Sequence, residues 1–183
     1  MLGFSDRAQC RDGLCDQTID RRVHGAGSER RDPRGLVLEP GPGEGALTLA
    51  LAGRGAEVVA YEIDARLANQ LAARTRADPG IQVVRGDFVR ARAPRAAFAV
   101  VGNIPFSVTA EIVDWCLSAS ELTSATLLTQ LEYARKRTGD YGRWSLRTVL
   151  SWPWFTWELR DRVPRGAFRP VPATTAGDRS RII

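Results

Sequence analysis

A chain of 183 residues with 44% hydrophobic content is long enough to bury one substantial core and too short for two comfortable ones. Its formal charge of +5 inclines it toward polyanionic partners, and Lys136 is the sole lysine among 26 basic residues. Arginine suits phosphate and base recognition better than lysine does, although a GC-rich coding sequence would leave the same bias.

The first 34 residues are polar, Arg-rich and without clear periodicity, and they read as a loosely ordered arm with a short helix near Thr18 to Ala26. Asp6, Arg7 and Arg11 stand where a signal peptide would need an apolar run, and no stretch approaches the roughly 20 apolar residues of a membrane span. A cytoplasmic protein without membrane contact is expected. Cys10, Cys15 and Cys116, with His24 the only histidine, make neither a paired framework nor a four-ligand metal pattern, so no metal is expected.

Regular structure begins at Gly35. Leu36 to Leu38 predicts a strand, the run EPGPGEG a glycine-rich turn, and Ala46 to Ala52 a helix. A second strand over Ala56 to Tyr61, a helix over Ala65 to Arg76, and strands over Ile81 to Val84 and Phe98 to Val101 follow. Thr109 to Leu117 then predicts a helix, and Ala125 to Gln130 a fifth strand. Strands alternating with helices imply an α/β fold, an open doubly wound parallel sheet with right-handed crossovers. Such sheets bind ligands beyond the carboxyl ends of their strands.

The pocket motifs sit at those ends. In Glu39-Pro-Gly-Pro-Gly-Glu-Gly45 the alternating glycines let the backbone approach a ligand closely, or simply make a tight turn. Glu62 lies about twenty residues further on, the offset at which an acid meets the two hydroxyls of an adenosine ribose. Ile63 follows it, and after the third strand Asp87 can accept from the exocyclic amine of an adenine while Phe88 packs near the ring. NAD would use a similar turn, but its pyrophosphate favours G-x-G-x-x-G, whereas here Glu44 disfavours an anion. A cofactor with a sulfonium and an amino-acid tail, S-adenosylmethionine, fits better.

At the end of the fourth strand stands VGNIPF. A proline there stops the ladder and leaves the Asn103 amide and the Phe106 ring to hold a flat polar ring. Taken together, LEPGPGEGALT, YEID, GDF, GNIPF, QLEYARKRTGDYGRWS and FRPVP resemble the Erm family of 23S rRNA adenine N6-methyltransferases, especially its actinobacterial members, over roughly Leu36 to Pro172. The resemblance implies a Rossmann-like class I S-adenosylmethionine-dependent methyltransferase acting on 23S rRNA as a monomer, with macrolide, lincosamide and streptogramin B resistance as the outcome. It assigns Glu39, Gly41 and Gly43 to the region of the methionine part, Glu62 with Ile63 to the ribose side, and Asp87 and Phe88 to the cofactor adenine. Asn103, Ile104, Pro105 and Phe106 become the catalytic set around the target adenine, Asn103 also bordering the cofactor.

The chemistry gives that set a reason. An adenine amino nitrogen is a poor nucleophile because its lone pair is delocalised into the ring. The Asn103 amide oxygen can accept one N–H, the Ile104 carbonyl, set by Pro105, the other, and Phe106 can stack on the base. No strong base is needed, since the amine becomes acidic as it is methylated. The target must leave its stack at about a few kcal/mol, so looped or single-stranded RNA is the expected substrate form. Phe replaces the Tyr common in the family, keeping the face and losing a hydroxyl.

Arg135, Lys136, Arg137, Arg143 and Trp144 interleave charge with aromatics and form the expected RNA-binding set, or a solvated helix end. Trp152, Trp154, Phe155 and Trp157 are expected in a strand packed on the sheet. Two departures shape the domain reading: an arm over 1–34 without the family's Gln-Asn-Phe-Leu motif, a catalytic domain over 35–172, and a divergent tail over 173–183. The family's last strand and helical C-terminal domain are expected to be missing, leaving a sheet edge bare. The rival readings are a small-subunit rRNA dimethyladenosine transferase, which shares the pocket, and an inactive fragment.

Overall fold

The computed structural model describes residues 9–10, 35–138, 145–163, 168–169 and 179–182. Nine strands and five α-helices are laid out among them. The predicted strand and helix succession is present, with several elements a little longer and others shifted or shortened by a residue: β2 (Leu36–Pro40), α1 (Ala46–Ala52), β3 (Glu57–Glu62), α2 (Ala65–Thr75), β4 (Ile81–Arg85), β5 (Phe98–Asn103), α3 (Thr109–Ser118) and β6 (Leu122–Gln130). Then come α4 (Leu131–Thr138), α5 (Leu146–Ser151), β7 (Leu159–Val163) and β9 (Arg179–Ile182). Short strands β1 (Gln9–Cys10) and β8 (Phe168–Arg169) pair antiparallel in a separate ribbon. The predicted helix near Thr18, Cys15 and His24 lie outside the described residues.

The main sheet runs β4-β3-β2-β5-β6-β9-β7. Strands β2 to β6 are parallel, and β9 runs antiparallel to both β6 and β7. The chain builds outward from β2 to β4 and then returns to place β5 on the other flank of β2, so the order reverses between β2 and β5. That reversal opens a crevice at the carboxyl ends of the two strands.

The sheet is covered on both faces, which is why its strands read as continuous apolar runs. On β2, Leu38 joins Phe98, Val100, Ile112, Val113 and Cys116 on one side, while Val37 joins Leu51, Val58, Ala60 and Leu71 on the other. Spacing i, i+3, i+4, i+7 brings Thr109, Ile112, Val113 and Cys116 of α3 onto the sheet. Helix α2 starts at Asp64, whose Oδ1 accepts from the N–H groups of Arg66 and Leu67, and it buries Ala68, Leu71 and Thr75. Each aliphatic side chain so enclosed contributes about 1.5–3 kcal/mol.

One expectation is overturned. The outer flank of β6 is not bare, because Arg179–Ile182 of the tail pairs with it from Leu127↔Ile182 to Gln130↔Arg179, and β7 closes on its far side. The tail is part of the sheet. Ladder hydrogen bonds come from the main chain, so a segment as unlike an apolar strand as Arg-Ser-Arg-Ile can supply them. The four aromatics after α5 also depart from expectation. Residues 152–154 form a turn, strand β7 begins only at Leu159, and Trp154 is 82% exposed.

Candidate active site

Strand β2 ends in a turn whose glycines 41, 43 and 45 have φ of 68°, 59° and 86°. At Gly45 the constraint is double: a left-handed backbone opens α1, and an added Cβ would lie 2.2 Å from Leu71 Cδ1. The Gly41 N–H donates to the Tyr61 carbonyl at 2.9 Å, which anchors the turn to β3.

The Glu62 carboxyl, at the end of β3, is fully enclosed. Its Oε2 accepts from the Gly43 N–H at 3.1 Å and its Oε1 from the Asp64 N–H at 2.9 Å. Glu62 therefore ties the glycine turn to the start of α2, and a ribose would have to use its remaining lone pairs. Glu39 is also enclosed, 1% exposed, and its Oε2 accepts from the Thr48 hydroxyl at 2.6 Å. Burial pushes the Glu39 carboxyl up to about 8, against the Thr48 hydrogen bond and with help from the Glu62 charge. Ile63, which follows Glu62, is an apolar side chain left 47% exposed.

After β4, Asp87 opens a 3-10 turn. Its Oδ1 accepts from the Val89 N–H at 3.2 Å and its Oδ2 lies 3.6 Å from Arg90 Nε. The Phe88 ring is a correction to the sequence reading. It is 5% exposed and packs in the core, with centroids 5.6 Å from Tyr61 and 4.5 Å from Trp115, so it is not a pocket wall.

Asn103 closes β5. Ile104 is fully buried in the core, which holds its main chain at the strand end. Pro105 sits at φ −63°, ψ 145°, and its carbonyl accepts from the Thr109 hydroxyl at 3.0 Å, fixing the loop to α3. Phe106 follows half-buried in a 3-10 turn over Phe106–Val108. The ends of β2 and β5 approach closely at Gly102, where an added Cβ would lie 2.9 Å from both Cγ and Cδ of Pro40. The glycine turn therefore leaves the sheet beside the strand end that carries Asn103, although more than sixty residues of sequence separate Pro40 from Gly102.

The basic set divides. On α4, Lys136 is exposed and Arg135 half-buried. Arg137, expected to face RNA, is instead 7% exposed: its Nη1 donates to Ser145 Oγ at 2.9 Å and its guanidinium lies 4.8 Å over the Tyr133 ring. That contact ties α4 to the start of α5, because Ser145 also caps α5 by accepting from the Thr148 N–H. Arg143 and Trp144 lie outside the described residues. Sequence reasoning missed a groove lined by Leu117, Leu146, Leu150 and Trp154, which none of the pocket motif residues line. The exposure of Leu146 at 75% is at odds with any simple apolar pattern.

Among the described residues no three His, Cys, Asp or Glu side chains converge to hold a metal ion, and no helix is long and apolar enough to cross a membrane.

Residues 19–175 match the family profile described as ribosomal RNA adenine dimethylase. An rRNA methyltransferase of Streptomyces thermotolerans is 53% identical over 157 residues, 86% of this chain and 52% of the relative. The mycinamicin-resistance protein MyrB of Micromonospora griseorubida is 40% identical, over 77% of this chain and 44% of its own length. The crystal structure of the 23S rRNA methyltransferase ErmE superposes with a TM-score of 0.77 at 51% identity, covering 82% of this chain and 60% of that one. The chain spans about half the length of the curated relatives it matches. With its parallel sheet, paired loops and matching sequence, the chain belongs to the ribosomal RNA adenine dimethylase family.

Proposed function

We propose that the crevice between β2 and β5 binds S-adenosylmethionine and an extruded adenine of 23S rRNA, and transfers a methyl group to N6 of that base. The observation that carries this reading is the close approach of the paired ends of β2 and β5, where Pro40 leaves no room for a side chain at Gly102, because the glycine turn follows the one strand and the Asn103 motif ends the other. The donor chemistry fits the cofactor. Glu39, Glu62 and Asp87 supply carboxyl groups suited to a cation, a diol and an exocyclic amine, and Ile63 offers an exposed apolar face. A phosphate would find three acids there.

When bound, the cofactor supplies a methyl group activated by a sulfonium. The chain's own part is orientation. Asn103 and the Ile104 carbonyl accept the two amine N–H groups, which turns the nitrogen lone pair out of conjugation, and Phe106 offers its face to the ring. A base flipped at a cost of about a few kcal/mol recovers roughly 1–3 kcal/mol by stacking. Placing the reactants supplies most of the rate.

Of the similar relatives, one is named as an rRNA methyltransferase and one as a mycinamicin-resistance protein, which supports an rRNA substrate and drug resistance in the cell. The same reading puts the protein in the cytoplasm with its substrate, as a monomer, with residues 35–172 as the catalytic domain together with the β9 tail.

The test is transfer of labelled methyl to protein-free 23S rRNA and, separately, to small-subunit rRNA, followed by primer extension to locate the modified base. Asn103→Ala is expected to abolish transfer while cofactor binding survives. Equal activity in the variant removes Asn103 from the mechanism, and a stop on small-subunit rRNA alone reassigns the substrate.

A further inference from the structure

Helix α3 begins where the Asn103 motif ends, and its first residue, Thr109, holds two successive carbonyls of that motif's loop. The Thr109 hydroxyl donates to the Pro105 carbonyl at 3.0 Å, and the Thr109 N–H donates to the Phe106 carbonyl. Both peptides that flank Phe106 are therefore tied to one residue. Thr109 is buried, and the helix behind it is seated in the core by Ile112, Val113 and Cys116. Trp115 adds a further tie, its Nε1 donating to the Ala91 carbonyl at 2.9 Å. The anchor is rigid, and the loop it holds is short.

The tie reaches further back than Pro105. Between the Ile104 carbonyl and the Pro105 carbonyl lie one planar peptide, a φ of −63° locked by the proline ring, and a single soft torsion, the Pro105 ψ of 145°. The Ile104 side chain is fully buried and cannot follow the loop. Whatever holds the Pro105 carbonyl therefore sets that torsion, and with it the angle between the Ile104 carbonyl and the Phe106 backbone. A threonine hydroxyl that bonds back four residues inside a helix only competes with the helix's own hydrogen bonds. Here the acceptor stands outside α3, so the bond fastens loop to helix.

We propose that Thr109 is a positioning residue for methyl transfer: its hydroxyl fixes the Pro105 torsion that aims the Ile104 carbonyl at the target amine and the Phe106 ring at the base. Thr109 acts through the loop. This inference rests on the methyltransferase reading above. It adds that loss of one buried hydroxyl slows the chemical step while cofactor binding survives. The Val108 N–H also reaches the Pro105 carbonyl, at 3.3 Å, so without the hydroxyl that carbonyl keeps a partner and the loop loses its aim rather than its fold.

The test compares wild type with Thr109→Val, which keeps the volume and loses the donor, and with Thr109→Ser, which keeps the donor. Single-turnover methyl transfer to a 23S rRNA fragment would be measured beside calorimetric binding of S-adenosylmethionine and thermal unfolding. Binding of the same fragment would also be measured with adenine and with purine, which lacks the amine, at the target position. Thr109→Val is expected to lower the transfer rate about 10–100-fold, and Thr109→Ser to keep most of it. Cofactor affinity should be unchanged, and the preference for adenine over purine should fall about fivefold in Thr109→Val, the worth of one hydrogen bond. Wild-type transfer and adenine preference in folded Thr109→Val, whether or not its Tm falls, overturn the proposal and leave the methyltransferase reading standing. An equal loss in Thr109→Ser overturns it too, because the donor is then not what matters. Absence of transfer by the folded wild type overturns both readings. Should Thr109→Val not fold, Thr109→Ala removes the hydroxyl without adding bulk and is read in the same way.

Discussion

Replacing Gly102 with alanine probes the close approach of the ends of β2 and β5. The new Cβ would lie 2.9 Å from Pro40 Cγ and Cδ and 3.3 Å from Ile104 Cγ2, against an ordinary carbon contact of 3.4 Å or more, a deficit of about 0.5 Å at the proline. A proline ring has no rotamer to escape into, and Ile104 is fully buried, so the strain must be relieved by moving the ends of β2 and β5 apart. Overpacking of this kind costs about 1–3 kcal/mol, and about 0.4–1 kcal/mol is recovered from the less flexible unfolded chain. The expected net loss is about 1–2 kcal/mol, or about 2–8 °C in Tm for a chain of this size. The functional loss should be larger in proportion. Asn103 is the adjacent residue, and displacement of a positioning group by a fraction of an ångström lowers kcat by up to about a hundredfold. Thermal unfolding and methyl transfer would be measured for Gly102→Ala, Pro40→Ala and the double variant. Because Pro40→Ala removes the ring that the new methyl meets, the double variant should lose less than the sum of the two single losses. Wild-type stability and activity in Gly102→Ala, or strict additivity in the cycle, would refute the close approach of β2 and β5 at Gly102 as the feature that holds the site together.

Gly45→Ala combines a φ of 86° with a Cβ 2.2 Å from Leu71 Cδ1, so a loss of about 2–4 kcal/mol is expected in urea unfolding, partly restored by Leu71→Ala. Stability without ligand should depend on Glu39. Because its folded value is raised from 4.5 to about 8, its contribution is complete below about pH 4.5 and declines as pH rises through 8, where it levels off. In Glu39→Gln that decline should disappear from denaturation curves taken between pH 5 and 9. Arg137→Ala should cost about 1–3 kcal/mol in stability, since it strips Ser145 and Tyr133 of a buried partner. Lys136→Ala should leave stability within about 0.5 kcal/mol and reduce the salt slope of RNA binding by about one. The reverse pattern for this pair would show that α4 faces RNA through Arg137.

The order of elements from Leu36 to Gln130 was legible because each carries its own local signal. Apolar runs of four to six residues mark strands buried on both faces, Asp64 marks a helix start, and glycines at alternate positions mark a turn with positive φ. The same local signals brought out Glu62, Asp87 and Asn103, all at strand ends. What misled was side-chain destination. Phe88 and Arg137 have compositions that suit a ligand wall and an RNA contact, yet the first fills the gap between Tyr61 and Trp115 and the second bridges α4 to Ser145. Strand β9 was invisible for the opposite reason, having almost no apolar content and drawing its stability from main-chain pairing with β6 and β7.

By itself the sequence determined the alternation of strands and helices and the positions of the turns, since propensity, capping and periodicity act within a few residues. Only the tertiary structure decided that Gly102 meets Pro40, that Glu39 is enclosed beside Glu62 and that Arg137 is internal. Those outcomes depend on which strands become neighbours, and chain reversal between β2 and β5 joins groups whose separation along the chain carries no local signal.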